Sequence, residues 1–241
     1  MDMLLLRFDA PLMSFGGVMV DQHGPTDRFP GLSMLTGLLA NALGYRHGEF
    51  ERLQALQERI QFAARWDVEP EHVVDYHTVD LGQEKMRYHG WTTRGVAEHR
   101  AGGAAAKFGT HQRYRHYWAS GVMTLAVSLN GEGTPTLDEL ASALHQPARL
   151  LFLGRKTCLP AAPVLLARSN ADNVLDALLN CPIHPRAAEN DETTMAACWP
   201  ADLPGGVHDR LVSRYDQREW RNQVHAGRRD QHEGRIGRPT S

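Results

Sequence analysis

The feature that most constrains this 241-residue chain is a change of period at position 60. From Glu49 to Arg59 apolar residues recur at helical spacing through Phe50, Leu53 and Leu56. From Ile60 they alternate, with Ile60, Phe62, Ala64 and Trp66 set against Gln61, Ala63 and Arg65. A helix repeats every ~3.6 residues and a strand every two, so one buried face cannot be served by both periods. The chain must pass there from a helix directly into a strand.

The remaining elements follow by the same reading. Met3 to Phe8 is an apolar run interrupted only by Arg7 and predicts a central strand. Pro30 opens a helix in which Leu32, Leu35, Leu38, Leu39, Ala42 and Leu43 recur at helical spacing, and Gly44 stands where a capping glycine is wanted. Val73 to Val79 predicts a short strand, and Val122 to Leu129 a half-buried one with Met123, Leu125, Val127 and Leu129 on one side. Thr136 and Glu139 have capping-box spacing for a helix Leu137 to His145, which Pro147 stops; the apolar run Leu150 to Leu153 predicts the next strand.

This order, with one extra helix, is that of a ferredoxin-like (RRM-like) β-α-β-β-α-β unit, an α+β fold. It assigns residues 1–80 and 110–166 to the core, 81–109 to an inserted β-hairpin arm, and 167–241 to an irregular C-terminal extension. Within that extension Val174 to Leu179 predicts a short helix, Cys181 to Gly206 reads as loop, and Arg214 to Gly237, arginine-rich around Trp220, as a flexible basic tail.

The sharpest local signal is Leu153-Gly154-Arg155-Lys156-Thr157-Cys158, where a glycine breaks an apolar run and delivers two cations side by side. Glycine admits positive φ and close approach of another backbone, so the break is expected to receive a ligand, and adjacent cations suit phosphate. The bland alternative is an exposed basic turn. Ser14-Phe15-Gly16-Gly17 has a composition able to present backbone N–H groups to an anion. From Leu81 to Gly109 periodicity gives way to glycine, histidine and cations, with Gly102 to Ala106 read as the tip of the arm. Between Glu84 and His116, Lys85, Arg87, Arg94, Arg100, Lys107, Arg113 and Arg115 face only Glu84 and Glu98. On the returning strand Arg113 and Arg115 alternate with Tyr114 and His116, which puts the cations on one face.

The net charge of −2 hides this uneven distribution, and where charge sits matters more to a nucleic acid than its sum. Hydrophobic content of 42% fits a globular chain. No apolar run reaches the roughly 18 to 20 residues that span a bilayer, and Met1-Asp2-Met3 lacks the basic region of a signal peptide, so no membrane partner and a cytoplasmic location are expected. Cys158, Cys181 and Cys198 have no C-x-x-C spacing and are expected to be free thiols. His72, His77, His89, His99, His111 and His116 form no pair at the spacing of a helical zinc site, and neither a Walker loop nor a dinucleotide fingerprint is present, so no metal or cofactor is expected.

Several stretches, in order, resemble one family. They are Ala10 to Gly16; Pro25-Thr26-Asp27-Arg28-Phe29-Pro30 through Ser33; Gly37 to Gly44; Gln61 to Ala63; Asp75 to Val79; Leu153 to Cys158; and Arg218 to Trp220. The chain is similar to the CasD family, the crRNA-handle-binding subunits of subtype I-E CRISPR surveillance complexes (Cascade) within the RAMP superfamily. Where that family has Tyr-Leu-x-Asp-Ala, this chain has Tyr117-Trp118-Ala119-Ser120-Gly121 without the acid. The resemblance implies a non-catalytic subunit that caps the five-prime handle of crRNA, lays its arm across the first guide nucleotides, packs on the backbone and large subunits, and meets target DNA only through the complex. It implies RNA contacts at Ser14, Phe15, Gly16, Arg28, Ser33, Tyr76, His77, Lys107, Arg113, Arg115, Gly154, Arg155 and Lys156. Cation-lined grooves and aromatic platforms hold flexible single strands, and Tyr76, His77, Tyr114 and Tyr117 are of a type to stack.

Some of these residues, and the function itself, admit another reading. His77 suits a core position as well as a platform, Trp66 is read as core, and Trp220 suits either. A metal-independent endoribonuclease needs a base, an acid and a cation around one phosphate; His111, His116, Tyr114 and Lys107 supply those types. His111 and His116, five positions apart on a strand, fall on opposite faces, which favours binding over cleavage.

Overall fold

The computed structural model describes residues 1–19, 21–80, 90–91, 97–98, 110–187 and 192–239. In chain order these form β1 (Asp2–Asp9), β2 (Leu12–Met13), β3 (His23–Gly24), α1 (Leu32–Ala42), α2 (Phe50–Arg59), β4 (Ile60–Val68), β5 (Glu71–Asp80), β6 (Gly90–Trp91), β7 (Ala97–Glu98) and β8 (Thr110–Ala119). There follow β9 (Val122–Leu129), α3 (Leu137–His145), β10 (Leu165–Asn170), α4 (Val174–Asn180), β11 (Thr194–Pro200), β12 (Val207–Glu219) and β13 (Val224–Gly237). Two compact units result: residues 1–16, 26–73 and 117–241, and residues 17–25 and 74–116. Among the described residues no helix is long and apolar enough to cross a membrane.

The first unit carries a mixed α+β architecture on a seven-stranded sheet of order β10-β1-β9-β4-β11-β13-β12, with neighbouring strands antiparallel. Register aligns the alternating apolar residues into rows: Phe8, Met123 and Trp66; Leu6, Leu125 and Ala64; Leu4, Val127 and Phe62. These rows bury against Leu35 and Leu39 of α1, Leu53 and Leu56 of α2, and Leu140 and Leu144 of α3. Successive strand side chains point to opposite faces, so the intervening Met3, Leu5, Ala63 and Ala126 need a second cover. That cover is α4, through Val174, Leu175 and Leu178. On this face the buried Arg65 donates to Asp67 Oδ1 at 2.7 Å and to the carbonyls of Cys181 (2.7 Å) and Leu178, satisfying the C-terminal end of α4. A buried guanidinium left without such acceptors would cost several kcal/mol.

The capping box at α3 forms as its spacing predicts: Glu139 N donates to Thr136 Oγ1 at 3.1 Å and Thr136 N to Glu139 Oε2 at 2.7 Å. Gly44 takes a φ of +80° just past α1, as a capping glycine does. Two expectations are corrected. Leu150 to Leu153 is not a strand; Leu151 and Leu153 are buried, Leu150 is 73% exposed, and the segment's backbone bonds go to turns and to the loop after β2. The strand after α3 is instead β10, which pairs with β1.

The C-terminal region is likewise ordered rather than irregular. β11 joins β4 and β13, and β12 and β13 form a long hairpin in place of the expected flexible tail. Its many charges are paired across the ladder: Arg214 with Glu233, and Arg229 with Asp216 at 2.7 Å. Arg214 and Arg229 stand directly opposite each other, and these diagonal carboxylates offset their repulsion, whereas in sequence the same residues look like a solvated tail.

In the second unit β3 runs parallel to β8, with His23 opposite Tyr114 and Gly24 opposite Arg115, and β6 pairs antiparallel with β7. Apart from 90–91 and 97–98, the expected arm at 81–109, including Lys107 and the Gly102 to Ala106 tip, lies outside the described residues.

Candidate nucleic-acid interface

In the first unit the expected site residues gather around the loop that leaves β2. Met13 lies opposite Trp118 of β8, and the chain continues through the buried Ser14 and Phe15 to the exposed Gly16. Two backbone bonds and one to a side chain hold this loop: Ser14 N donates to Leu153 O at 3.1 Å, Asp27 N to Gly16 O at 2.5 Å, and Phe15 N to Thr26 Oγ1 at 2.9 Å. The stretches 14–16, 26–28 and 153–158 are thus joined by hydrogen bonds.

The Gly154 turn is closed on itself by Leu153 N donating to Cys158 O (2.7 Å) and Cys158 N to Arg155 O (2.9 Å). Gly154 has a φ of +95°, and a Cβ there would lie 1.6 Å from Ser14 O. Close approach does demand the glycine, but the approaching backbone is Ser14 of the same chain and not a ligand. Beyond it Lys156 is exposed, while the Arg155 guanidinium sits 4.7 Å over the ring of the buried Tyr117. Tyr117 therefore supports a cation from below and has no face for a base.

Phe15 is buried, its ring 6.3 Å from Phe8 and 6.1 Å from Trp66, and because the Ser14 and Phe15 N–H groups are already bonded within the chain, the expectation that they face an anion is corrected. Gly16, at φ +84° with open space beside it, is exposed. Ser33 is half-buried in the first turn of α1, where Leu32 N donates to Asp216 Oδ2 at 2.8 Å. That N-terminus is already occupied by a carboxylate from β12. Asp27, beside it, is pushed above its ordinary carboxyl value by burial, against the opposing pull of Arg214.

Sequence reasoning missed the setting of Arg28. Its guanidinium lies 5.4 Å from the Trp66 ring and 5.3 Å from the Trp118 ring, and it pairs with Glu69. Both indoles also fix its backbone, Trp66 Nε1 donating to Arg28 O at 3.2 Å and Trp118 Nε1 to Asp27 O at 2.7 Å. The only signal in the sequence was two tryptophans on different strands, and nothing in their spacing joins them to position 28.

In the second unit Tyr114 is the centre of an aromatic cluster. His23 stacks on it at 4.9 Å and 12°, Tyr76 lies 5.2 Å away at 40°, and the His23 and His116 rings are 6.0 Å apart. Tyr76 is 50% exposed, and the half-exposed His77 places Nε2 2.6 Å from Asp75 Oδ2, so it is not a core histidine. Arg113 donates to Asp21 O at 2.8 Å and Arg115 is exposed. Among the described residues no group of three or more His, Cys, Asp or Glu side chains is placed to hold a metal ion.

This arrangement sets cations on aromatic supports beside an exposed glycine, and cations with aromatic rings are parts from which single-stranded nucleic acid sites are made. Comparison with known proteins identifies the family. A family model for CRISPR-associated protein (Cas_Cas5) matches residues 3–232. The CRISPR system Cascade subunit CasD of Escherichia coli (strain K12) is 32% identical over 185 residues, covering 73% of this chain and 75% of that protein. A chain of a CRISPR RNA-guided surveillance complex superposes with a TM-score of 0.68 at 25% identity, covering 98% of this chain and 90% of the other. A crystal structure of a Cas protein shares the fold with a TM-score of 0.61 at 22% identity, covering 98% and 95%. The chain belongs to the Cas5 family of CRISPR-associated proteins.

Proposed function

We propose that this chain is a non-catalytic, cytoplasmic RNA-binding subunit of a type I-E surveillance complex, holding the five-prime handle of crRNA and packing against the backbone and large subunits. Its core is read as a ferredoxin-like RAMP unit: β1 and β4, both antiparallel to β9, are joined through α1 and α2, and β9 and β10 through α3, in the strand order β10-β1-β9-β4. The observation that carries the RNA reading is the backbone junction of Ser14 with Leu153, which fastens the exposed Gly16 to a turn bearing Arg155 and Lys156. The relative named as a Cascade subunit supplies the class of complex.

The test is co-expression with the neighbouring subunits and recovery of a uniform repeat-plus-spacer RNA. Replacing Arg155 and Lys156 by Ala should weaken capture and lower the log–log salt slope by about 0.7 for each phosphate no longer neutralised, because fewer counterions are released. An unchanged slope removes the phosphate role. The alternative, a metal-independent endoribonuclease, has the His23–His116 pair beside Tyr114 in its favour. It requires a discrete product ending in a 2′,3′-cyclic phosphate that disappears in His116→Ala; intact RNA with retained binding excludes it.

A further inference from the structure

We propose that Glu69 acts as an internal competitor for RNA phosphate at Arg28: its carboxylate occupies, in the free chain, the edge of a guanidinium that the nucleic acid takes over on binding. This rests on the RNA-binding reading above and adds a mode of regulation to that site.

Arg28 is held more firmly than a surface contact requires. The rings of Trp66 and Trp118, 6.5 Å apart and inclined at 68°, both back its guanidinium, and both indole N–H groups donate to the backbone at positions 27 and 28. Gly121 makes room for this support, since a Cβ there would come within 2.7 Å of both Trp66 and Pro70. Pro70 in turn follows Glu69 at the bend between β4 and β5. A stacked guanidinium keeps its N–H edge free for a planar or tetrahedral oxyanion, and carboxylate and phosphate compete for the same fork. The Arg28 side chain is 32% exposed and that of Glu69 40%, so the edge is reachable from solvent. A half-exposed ion pair is weak enough to be exchanged, whereas the indole contacts survive the exchange because they use the guanidinium face. Arg28 adjoins Asp27, whose N–H bonds the Gly16 carbonyl, so the exchange takes place beside the loop that is hydrogen-bonded to the Gly154 turn.

The experiment measures binding of a fluorescent single-stranded RNA of repeat sequence to the full chain, in wild type, Glu69→Gln and Glu71→Gln. Glu71 is exposed and lies two residues away, so it matches the change in net charge. Glu69→Gln should tighten binding about two- to fivefold relative to Glu71→Gln, the scale of a partly exposed ion pair. The gain should vanish in an Arg28→Lys background, which keeps the charge but loses the planar fork, and thermal melting of each variant identifies any loss of fold. Equal binding by the two glutamine variants, with wild type binding RNA, overturns the competitor and leaves the RNA reading intact. A gain that persists in Arg28→Lys also overturns it, as a general charge effect. Failure of every folded variant to bind removes the RNA reading and this proposal with it.

Discussion

Gly154 and Gly16 both have positive φ, near +95° and +84°, yet they answer to different demands. At Gly16 a methyl group meets open space, so Gly16→Ala should cost only the backbone term, about 1 kcal/mol. At Gly154 the same methyl group falls on Ser14 O, and the junction must open; Gly154→Ala should lower stability by about 3 kcal/mol or more and shift the thermal midpoint well below that of Gly16→Ala. Equal midpoints would mean that the contact with Ser14 is not made. The sequence marked Gly154 as special, but a strand break cannot reveal whose backbone approaches. Cys198 makes a second residue-scale prediction. Complete burial pushes its thiol from an ordinary 9.0 up to about 12, so between those values the folded chain binds a proton that the unfolded chain has lost. Stability should therefore fall as pH rises above about 9, and the fall should be smaller in Cys198→Ala, as read from urea midpoints at pH 8 and pH 10.

At the scale of elements, the bounds of regular apolar strands and helices were legible, although β9, expected to be half-buried, is buried on both faces. Val122 to Leu129 and Leu137 to His145 coincide with β9 and α3, because apolar alternation and a capping box are local signals. Those built from polar cross-strand partners were not legible. β12 and β13 pair through a backbone ladder that Arg214 with Glu233 and Arg229 with Asp216 reinforce, partners that lie 19 and 13 positions apart. Asp216 also receives Leu32 N, so one carboxylate joins this hairpin to the start of α1. Asp216→Ala removes the cap and leaves the Arg229 guanidinium without its carboxylate, a cost of about 1 to 3 kcal/mol. Asp216→Asn, which keeps an acceptor, should recover part of it; a midpoint in urea unaltered by either change would remove the cap.

For the whole molecule, the C-terminal hairpin decides whether the sheet is complete. Trp220 is buried, its Nε1 donating to Gln57 Oε1 at 3.1 Å, and Ile236 is buried opposite Met195. A chain ending at position 206 should therefore lose its cooperative melting transition, whereas a disposable tail would leave melting unchanged. The candidate site was legible in its basic turn and glycine loop because those are contiguous motifs. The support beneath it was not, since Trp66, Trp118 and Tyr117 meet Arg28 and Arg155 only through folding. The Ser14 to Leu153 junction has a consequence for the order of events during synthesis. One side of the site leaves the ribosome with the first residues and must wait for the other, which at about 5 to 20 residues per second takes on the order of ten seconds. Until Leu153 has been added the carbonyl that accepts from Ser14 N does not exist, so the candidate site can be completed only when nearly two thirds of the protein has been made.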